Sequence, residues 1–335
     1  MPDLSAMKAS NALIPKYLPA DFTAIFVGGT KGIGAYCLLA LLRHHPTTTA
    51  RIYVLARSST PTIDQARTLA PNATITFIKC DASLLKEVDR VCAELQQEVK
   101  TINVLYMSQG TLDFSARTSE GLPTMAALAY YSRIRFAQNL LPQLRAASGL
   151  KHVVNVLCGG KEGPLDVDDL HLQNRKGMPR ISEMRGHCAS MLTLAMERLS
   201  KEADGEVGFV HSFPGHVVTG IADTMTGLTG VVMRLATRFV MPFYAIGGEE
   251  CGERQVFAAT SGNFDERAGK GGVEVVGMET AVGTDGVVGS GSYAVDENND
   301  VVATTVPVLK KIRESGDAKK LWDVTKSNMD KALAS

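Results

Sequence analysis

Three glycines, Gly28, Gly32 and Gly34, are spaced G-x-x-x-G-x-G within FTAIFVGGTKGIG at residues 22–34, with Thr30, Lys31 and Ile33 between them. The apolar, β-branched run before them reads as a buried strand, and residues 35–42 (AYCLLALL) read as an apolar helix. A strand, a glycine turn and a helix in that order gather unpaired backbone N–H groups and a positive helix end around one point. The chemistry available there is anion binding, above all of a pyrophosphate. Glycine is needed because a side chain would block the phosphate or resist a positive φ. The spacing alone is weak, but the strand before and the helix after turn it into a dinucleotide-site signal. A tight β–α turn that binds nothing is the bland alternative.

The charges near this loop bear on which dinucleotide it would take. A ribose diol is normally bound by an Asp or Glu about 20 residues past the glycines. Arg57 lies 23 positions past Gly34, no acid stands beside it, and Lys31 is within the loop. Two cations without a carboxylate suit a 2′-phosphate, so NADP is favoured over NAD. Against this stands the reading of both as solvated surface charges.

The elements that must position these residues alternate along the chain. Strands are expected at 22–27, 51–55, 74–79, 102–107, 151–157 and 206–212, with helices between them. Ser83 is expected to cap the helix over 84–99, and 119–147 is expected as one long helix with Pro123 in its first turn. Such alternation implies right-handed crossovers and a doubly wound parallel α/β sheet covered on both faces. Ligands in these folds sit beyond the carboxyl ends of the strands. The 335 residues, 45% hydrophobic, fit one large domain with an elaboration or two small ones. The division expected is an N-terminal arm (1–20), a dinucleotide-binding unit (20–260) with a helical substrate lid (221–247), and a C-terminal extension (261–335) holding a hairpin at 290–302 and a terminal helix or helix pair.

Bulk properties exclude several function classes. With 35 basic and 35 acidic side chains the net charge is zero, which argues against nucleic acid or an anionic membrane as partner. Six scattered cysteines, without C-x-x-C or His pairing at ligand spacing, read as reduced thiols rather than a metal centre or disulfide framework. The first residues lack an apolar signal core, and no uncharged run of about 18 apolar residues occurs, so a cytoplasmic protein without a spanning segment is expected.

With Asp81 after the third strand, Ser108-Gln109-Gly110 after the fourth and Pro214-Gly215 after the sixth, the chain resembles the short-chain dehydrogenase/reductase superfamily over roughly residues 20–260. It looks closest to fungal members of secondary-metabolite pathways, on Glu120-Gly121-Leu122, Tyr130-Tyr131-Ser132-Arg133, Leu140-Leu141-Pro142, Gly159-Gly160-Lys161-Glu162-Gly163 and Gly291-Ser292-Tyr293. The resemblance implies that Gly28, Gly32 and Gly34 form the pyrophosphate loop and that Asp81 contacts the adenine. It matches Gly110 to the end of the family's Asn-Ala-Gly motif, where Ser108 and Gln109 replace the first two residues. It places Pro214, Gly215 and Thr219 on the nicotinamide carboxamide.

The family's proton relay is a Ser after the fifth strand and a Tyr-x-x-x-Lys on the next helix. Here the Ser position is Cys158, and the Tyr and Lys positions fall near Ser182 and Gly186. No tyrosine occurs between Tyr131 and Tyr244, and no lysine between Lys176 and Lys201. The family's structural Asn falls near Ala129 or Tyr130. Substituted acid–base groups are therefore expected among Cys158, Ser182, Arg185, His187 and Tyr130, with histidine suited to neutral pH and Arg185 to a developing alkoxide. The alternatives are a non-redox isomerase, dehydratase or cyclase, and a silent nucleotide-binding scaffold. Cys158 also fits as a buried filler, and His187 and Arg185 as an exposed helix face. Apolar residues in 160–181 and 221–247 suit a large hydrophobic substrate such as a polyketide or terpenoid, and the long helices leave homo-oligomers open.

Overall fold

The computed structural model describes residues 3–174, 181–224, 245–265, 271–275 and 277–335. Strand β1 (Thr23–Val27) is buried along its length, and its side chains alternate between two cores: Ala24 and Phe26 enter one, Ile25 and Val27 the other. A strand apolar on both faces needs helices on both sides. Around it are β2 (Arg51–Ala56), β3 (Thr74–Lys79), β4 (Val104–Met107), β5 (His152–Val156), β6 (Gly208–Ser212) and β7 (Ser292–Val295), all parallel, in the order β3-β2-β1-β4-β5-β6-β7. The order reverses beside β1, so the carboxyl ends of β1 and β4 form the switch point where such sheets bind ligands.

Helices α1 (Leu4–Asn11), α2 (Ile14–Tyr17), α3 (Gly32–His44) and α4 (Thr62–Leu69) cover one face together with α9 (Gly248–Thr260). The other face carries α5 (Leu85–Glu98), α6 (Thr124–Ala126), α7 (Ser132–Ala146), α8 (Ile181–Glu202), α10 (Thr305–Glu314) and α11 (Asp317–Ala334). Among the described residues no helix is long and apolar enough to cross a membrane. Most of the expected lid, together with Met178 and the apolar residues at 228–244, lies outside the described residues; Gly220–Thr224 is a 3₁₀ turn.

Three local expectations change. Ser83 does not cap α5: its hydroxyl donates to Asp81 Oδ1, and the N-cap is Leu84. The carboxylate of Glu120 instead accepts from the N–H groups of Leu85 (2.6 Å) and Lys86 (2.9 Å), a cap delivered from another segment. The long helix after Pro123 is broken by a π turn at Ala127–Tyr131, where the family's Asn was threaded. There the Leu128 carbonyl accepts from Arg133 Nε at 3.1 Å and from the Ser132 hydroxyl at 3.4 Å. Finally, 290–302 is not a free-standing hairpin. Its first arm is β7 in the main sheet, and only Val295 and Val301 bridge antiparallel across the turn, because the chain then enters α10.

Candidate active site

The glycine loop joins the end of β1 to α3. Gly28 (φ +84°) and Gly32 (φ +56°) adopt left-handed backbone, and the N-cap, Lys31, supplies no side-chain bond to the first turn. The N-terminal N–H groups of a 13-residue helix thus lack a side-chain acceptor, which is the arrangement an anionic ligand satisfies. A Cβ on Gly28 would approach the Gln109 backbone nitrogen to 2.9 Å, so the loop lies directly against the end of β4. The Ser108 hydroxyl leans over it, donating long bonds to the carbonyls of Val27 and Gly28. Thr219 stands over the other side, its methyl 3.2 Å from where a Gly32 Cβ would be. Gly110 is exposed, and Pro214 and Gly215 (φ +75°) follow β6 at the same edge.

Two threonines that the sequence did not single out tie the specificity loop to this cradle. The hydroxyls of Thr60 (2.7 Å) and Thr62 (3.0 Å) both donate to the Thr30 carbonyl. The loop carrying Arg57 is thereby fastened to the loop carrying Lys31, and both cations are exposed. Asp81 is half-buried, with Oδ1 accepting from the Ser83 N–H and hydroxyl. These residues fit a dinucleotide phosphate chain: a positive-φ cradle, an uncapped helix start and two exposed cations at its rim that form no ion pair among the described residues.

The five candidate proton donors are not gathered at one point. Tyr130 is a correction: its hydroxyl pairs with Thr325 on α11 at 2.8 Å, and burial raises its pKa, so it faces the terminal helix rather than the strand ends. His187 is also corrected as an exposed helix-face residue. It is 1% exposed, Nδ1 accepts from the Asp166 N–H, and Nε2 lies 3.2 Å from the Leu170 carbonyl. Cys158 is buried and its thiol donates to the Arg185 carbonyl at 3.5 Å, while desolvation holds its pKa well above the usual thiol value. A thiolate nucleophile or base is therefore not what the site offers. Ser182 is exposed on α8, and Arg185 is half-buried with its guanidinium 5.3 Å from the centre of the Phe213 ring.

Where a lysine would be needed, the backbone leaves no room. A Cβ on Gly186 would come within 3.0 Å of the Gly163 Cα, because the 160–163 loop packs on α8 there, with Gly163 N–H donating to the Gly186 carbonyl. That loop divides its two charged residues. Lys161 places its ammonium 4.9 Å from the Phe213 ring centre, whereas Glu162 turns inward.

Beneath Cys158 lies a buried polar chain. The Cys158 N–H donates to His211 Nε2 at 3.1 Å, which fixes the proton of a neutral imidazole on Nδ1. Nδ1 faces Thr193 Oγ1 at 2.7 Å, and that hydroxyl donates to Glu162 Oε1 at 2.7 Å. Burial, with the Arg133 guanidinium nearby, lowers the His211 pKa from 6.5 to about 3, and burial raises that of Glu162. Between about pH 6.5 and 3 the unfolded chain binds the His211 proton and the folded chain does not, so stability falls as pH drops through that window. The Glu162 shift works in the opposite direction. At about 1.36 kcal/mol per unit, the His211 contribution has an upper bound of roughly 5 kcal/mol. His211→Gln keeps an acceptor for Cys158 without the titration, so its melting temperature should fall less steeply than wild type from pH 6.5 to 4 in calorimetry. Parallel slopes would remove His211 as the acid-sensitive group.

Fold and site together define a doubly wound α/β protein with a dinucleotide-type glycine cradle. Oxidoreductase AN1596 of Emericella nidulans is 34% identical over 99% of this chain and 99% of its own length. Oxidoreductase andH of Emericella variicolor is 33% identical over 100% and 99%, and the short-chain dehydrogenase/reductase SAT2 of Stachybotrys chartarum 27% over 98% and 97%. No family model matches the chain. Among solved structures, the RhlG/NADP active-site complex of Pseudomonas aeruginosa superposes with a TM-score of 0.51 at 20% identity, covering 73% of this chain and 92% of that one, which shows the shared fold. The chain belongs to the family of fungal oxidoreductases that AN1596 and andH represent, and it is similar to the short-chain dehydrogenase/reductase SAT2.

Proposed function

We propose that the protein binds NADP(H) at the carboxyl edge of β1 and β4 and transfers hydride between it and a carbonyl or alcohol of a hydrophobic secondary metabolite. The observation that carries the cofactor reading is the uncapped start of α3, with Lys31 and Arg57 exposed at its rim and their loops joined through the Thr30 carbonyl. When bound, the nicotinamide supplies or accepts the hydride. Gly28, Thr30, Gly32, Ile33 and Gly34 would hold the pyrophosphate, Lys31 and Arg57 the 2′-phosphate, and Asp81 the adenine. Ser108 and Gly110 would line the ribose side, and Pro214, Gly215 and Thr219 the carboxamide. The unit 20–260 carries this site and the extension 261–335 packs on it. Residues 221–247, apolar in sequence, favour a polyketide or terpenoid as substrate.

The experiment is titration of NADPH fluorescence followed by hydride turnover on hydrophobic ketones. Arg57→Asp is expected to weaken NADPH about 10- to 100-fold, the scale of a lost charge-assisted bond plus repulsion, and to leave NADH affinity within a few-fold. Equal losses for both nucleotides would overturn the 2′-phosphate assignment. A second reading rests on the structural bonds that engage Cys158, His187 and Tyr130: the nucleotide is held without redox turnover, as in an isomerase or a scaffold. Tight NADPH binding with no hydride transfer to any pathway intermediate selects it.

A further inference from the structure

The ring of Phe213 closes β6 and immediately precedes Pro214-Gly215. Around it stand Lys161 Nζ at 4.9 Å, the Arg185 guanidinium at 5.3 Å and, edge-on at 6.2 Å, the His216 imidazole. Each cation gains from the negative ring face, but two like charges on one ring repel, and in folded proteins such a pair is normally neutralised by a carboxylate. Here it is not. Among the described residues neither Lys161 nor Arg185 forms an ion pair within 4 Å. Glu162, adjacent in sequence, is committed to Thr193 in the buried chain below. Cys158, also adjacent, is held as a neutral thiol by burial and donates to the Arg185 carbonyl. Glu297, whose turn packs on Gly215, pairs with neither cation. Of the residues outside the described set, Glu266 is the one acid in sequence, and 175–180 and 225–244 contain none.

We propose that Lys161 and Arg185, steered by the Phe213 ring, form a clamp for a carboxylate on the substrate. This deepens the reading of the same crevice as the substrate pocket, for the clamp stands at the carboxyl ends of β5 and β6, where that reading places the nicotinamide. The Arg185 fork can grip a planar carboxylate with two parallel hydrogen bonds, and Lys161 adds a movable point charge. The Phe213 ring that both cations approach is apolar, so the occupant is an amphipathic acid: a hydrophobic body ending in a carboxylate. The clamp also gives loop 160–163 a function that its packing on Gly186 alone does not explain.

The test uses 1-naphthoate and its neutral counterpart 1-naphthamide as probes of the full-length protein, by calorimetry with and without saturating NADPH. Wild type is expected to bind the carboxylate at least 10-fold more tightly than the amide. In Lys161→Gln/Arg185→Gln the preference should shrink to within twofold while amide affinity holds. Circular dichroism and melting temperature establish that the double variant is folded; if it is not, the single variants, each expected to lose part of the preference, replace it. No preference in wild type overturns the clamp, as does a preference that survives both substitutions. If the double variant instead loses NADPH affinity with the probe preference unchanged, the cations serve the nucleotide phosphates and the clamp is overturned. Failure of NADPH to bind, with carboxylate preference intact, would remove the cofactor reading and leave the clamp standing.

Discussion

Arg133→Met is expected to destabilise the protein by about 2–5 kcal/mol and to weaken the NADPH binding proposed above at least 10-fold. Arg133 is 1% exposed and has no carboxylate partner among the described residues, yet its guanidinium donates to four acceptors. Nε bonds the Leu128 carbonyl in the π turn, Nη1 bonds the Met107 carbonyl at 2.9 Å and more weakly Asn155 Oδ1, and Nη2 bonds the Gln109 carbonyl at 2.6 Å. Two effects compete when it is removed. Burial lowers its pKa from 12.5 to about 10, so relief of charge desolvation returns about 3 kcal/mol. Three good charge-assisted hydrogen bonds, at about 1.5–3 kcal/mol each, are lost, and their carbonyls stay buried. The second effect is larger. The nucleotide consequence follows from position, since Gln109, whose carbonyl Arg133 holds, is backbone that Gly28 packs against. Denaturant titration and NADPH fluorescence check both parts. Arg133→Lys should recover little, because an ammonium cannot span the carbonyls that a planar fork reaches. A Met variant as stable as wild type would show that the cation is a net burden.

Much of the sheet was legible because strands buried on both faces leave continuous apolar runs. TAIFV, RIYVL and HVVNV stand out against their turns, and the glycine cradle announces itself through spacing joined to those elements. What was not legible depends on partners far away in the chain. Glu120 caps α5 across 34 and 35 positions, so the nearby Ser83 looked like the cap. Tyr130 and Tyr131 neighbour the strand ends in threading, yet the π turn rotates them toward α11, where Thr325 and Asn328 meet their hydroxyls. Arg133 was visible only as part of a family signature, since nothing local says that a cation there points into the core. The seventh strand resembled a hairpin arm because SYAV and the turn after it are local, whereas pairing with β6 spans some eighty residues. At the site, the positive-φ glycine loop and the helix start it leads into are contiguous in sequence and could be read. The candidate proton donors come from the loop after β5, from α8 and from the π turn, and that they do not meet could not be read.

The same non-local logic makes Gly159→Ala the second large effect. Gly159 has no positive φ, so backbone conformation alone does not require glycine. A Cβ there would lie inside the contact surface of the His211 carbonyl and 3.1 Å from that of Val295. The loop after β5 passes between the ends of β6 and β7 with no space for one carbon, and both neighbours are sheet backbone that cannot rotate away. An alanine must lift the loop, breaking the Cys158 N–H bond to His211 Nε2 and straining that of Leu157 N–H to the Ser212 carbonyl (2.9 Å). Overpacking of about 1–3 kcal/mol and one or two lost buried hydrogen bonds of about 1–3 kcal/mol each give an expected loss of roughly 3–6 kcal/mol, enough to lower soluble yield sharply. Gly121→Ala is the matched control. Gly121 has φ +81° but nothing within 4 Å of its would-be Cβ, so it should lose only the backbone term, about 1–2 kcal/mol. If Gly159→Ala melts no lower than Gly121→Ala, the close passage of this loop is not a constraint on the fold. If it melts far lower, the 158–161 segment is held by the sheet itself, and the placement of Cys158 and Lys161 follows from strand pairing.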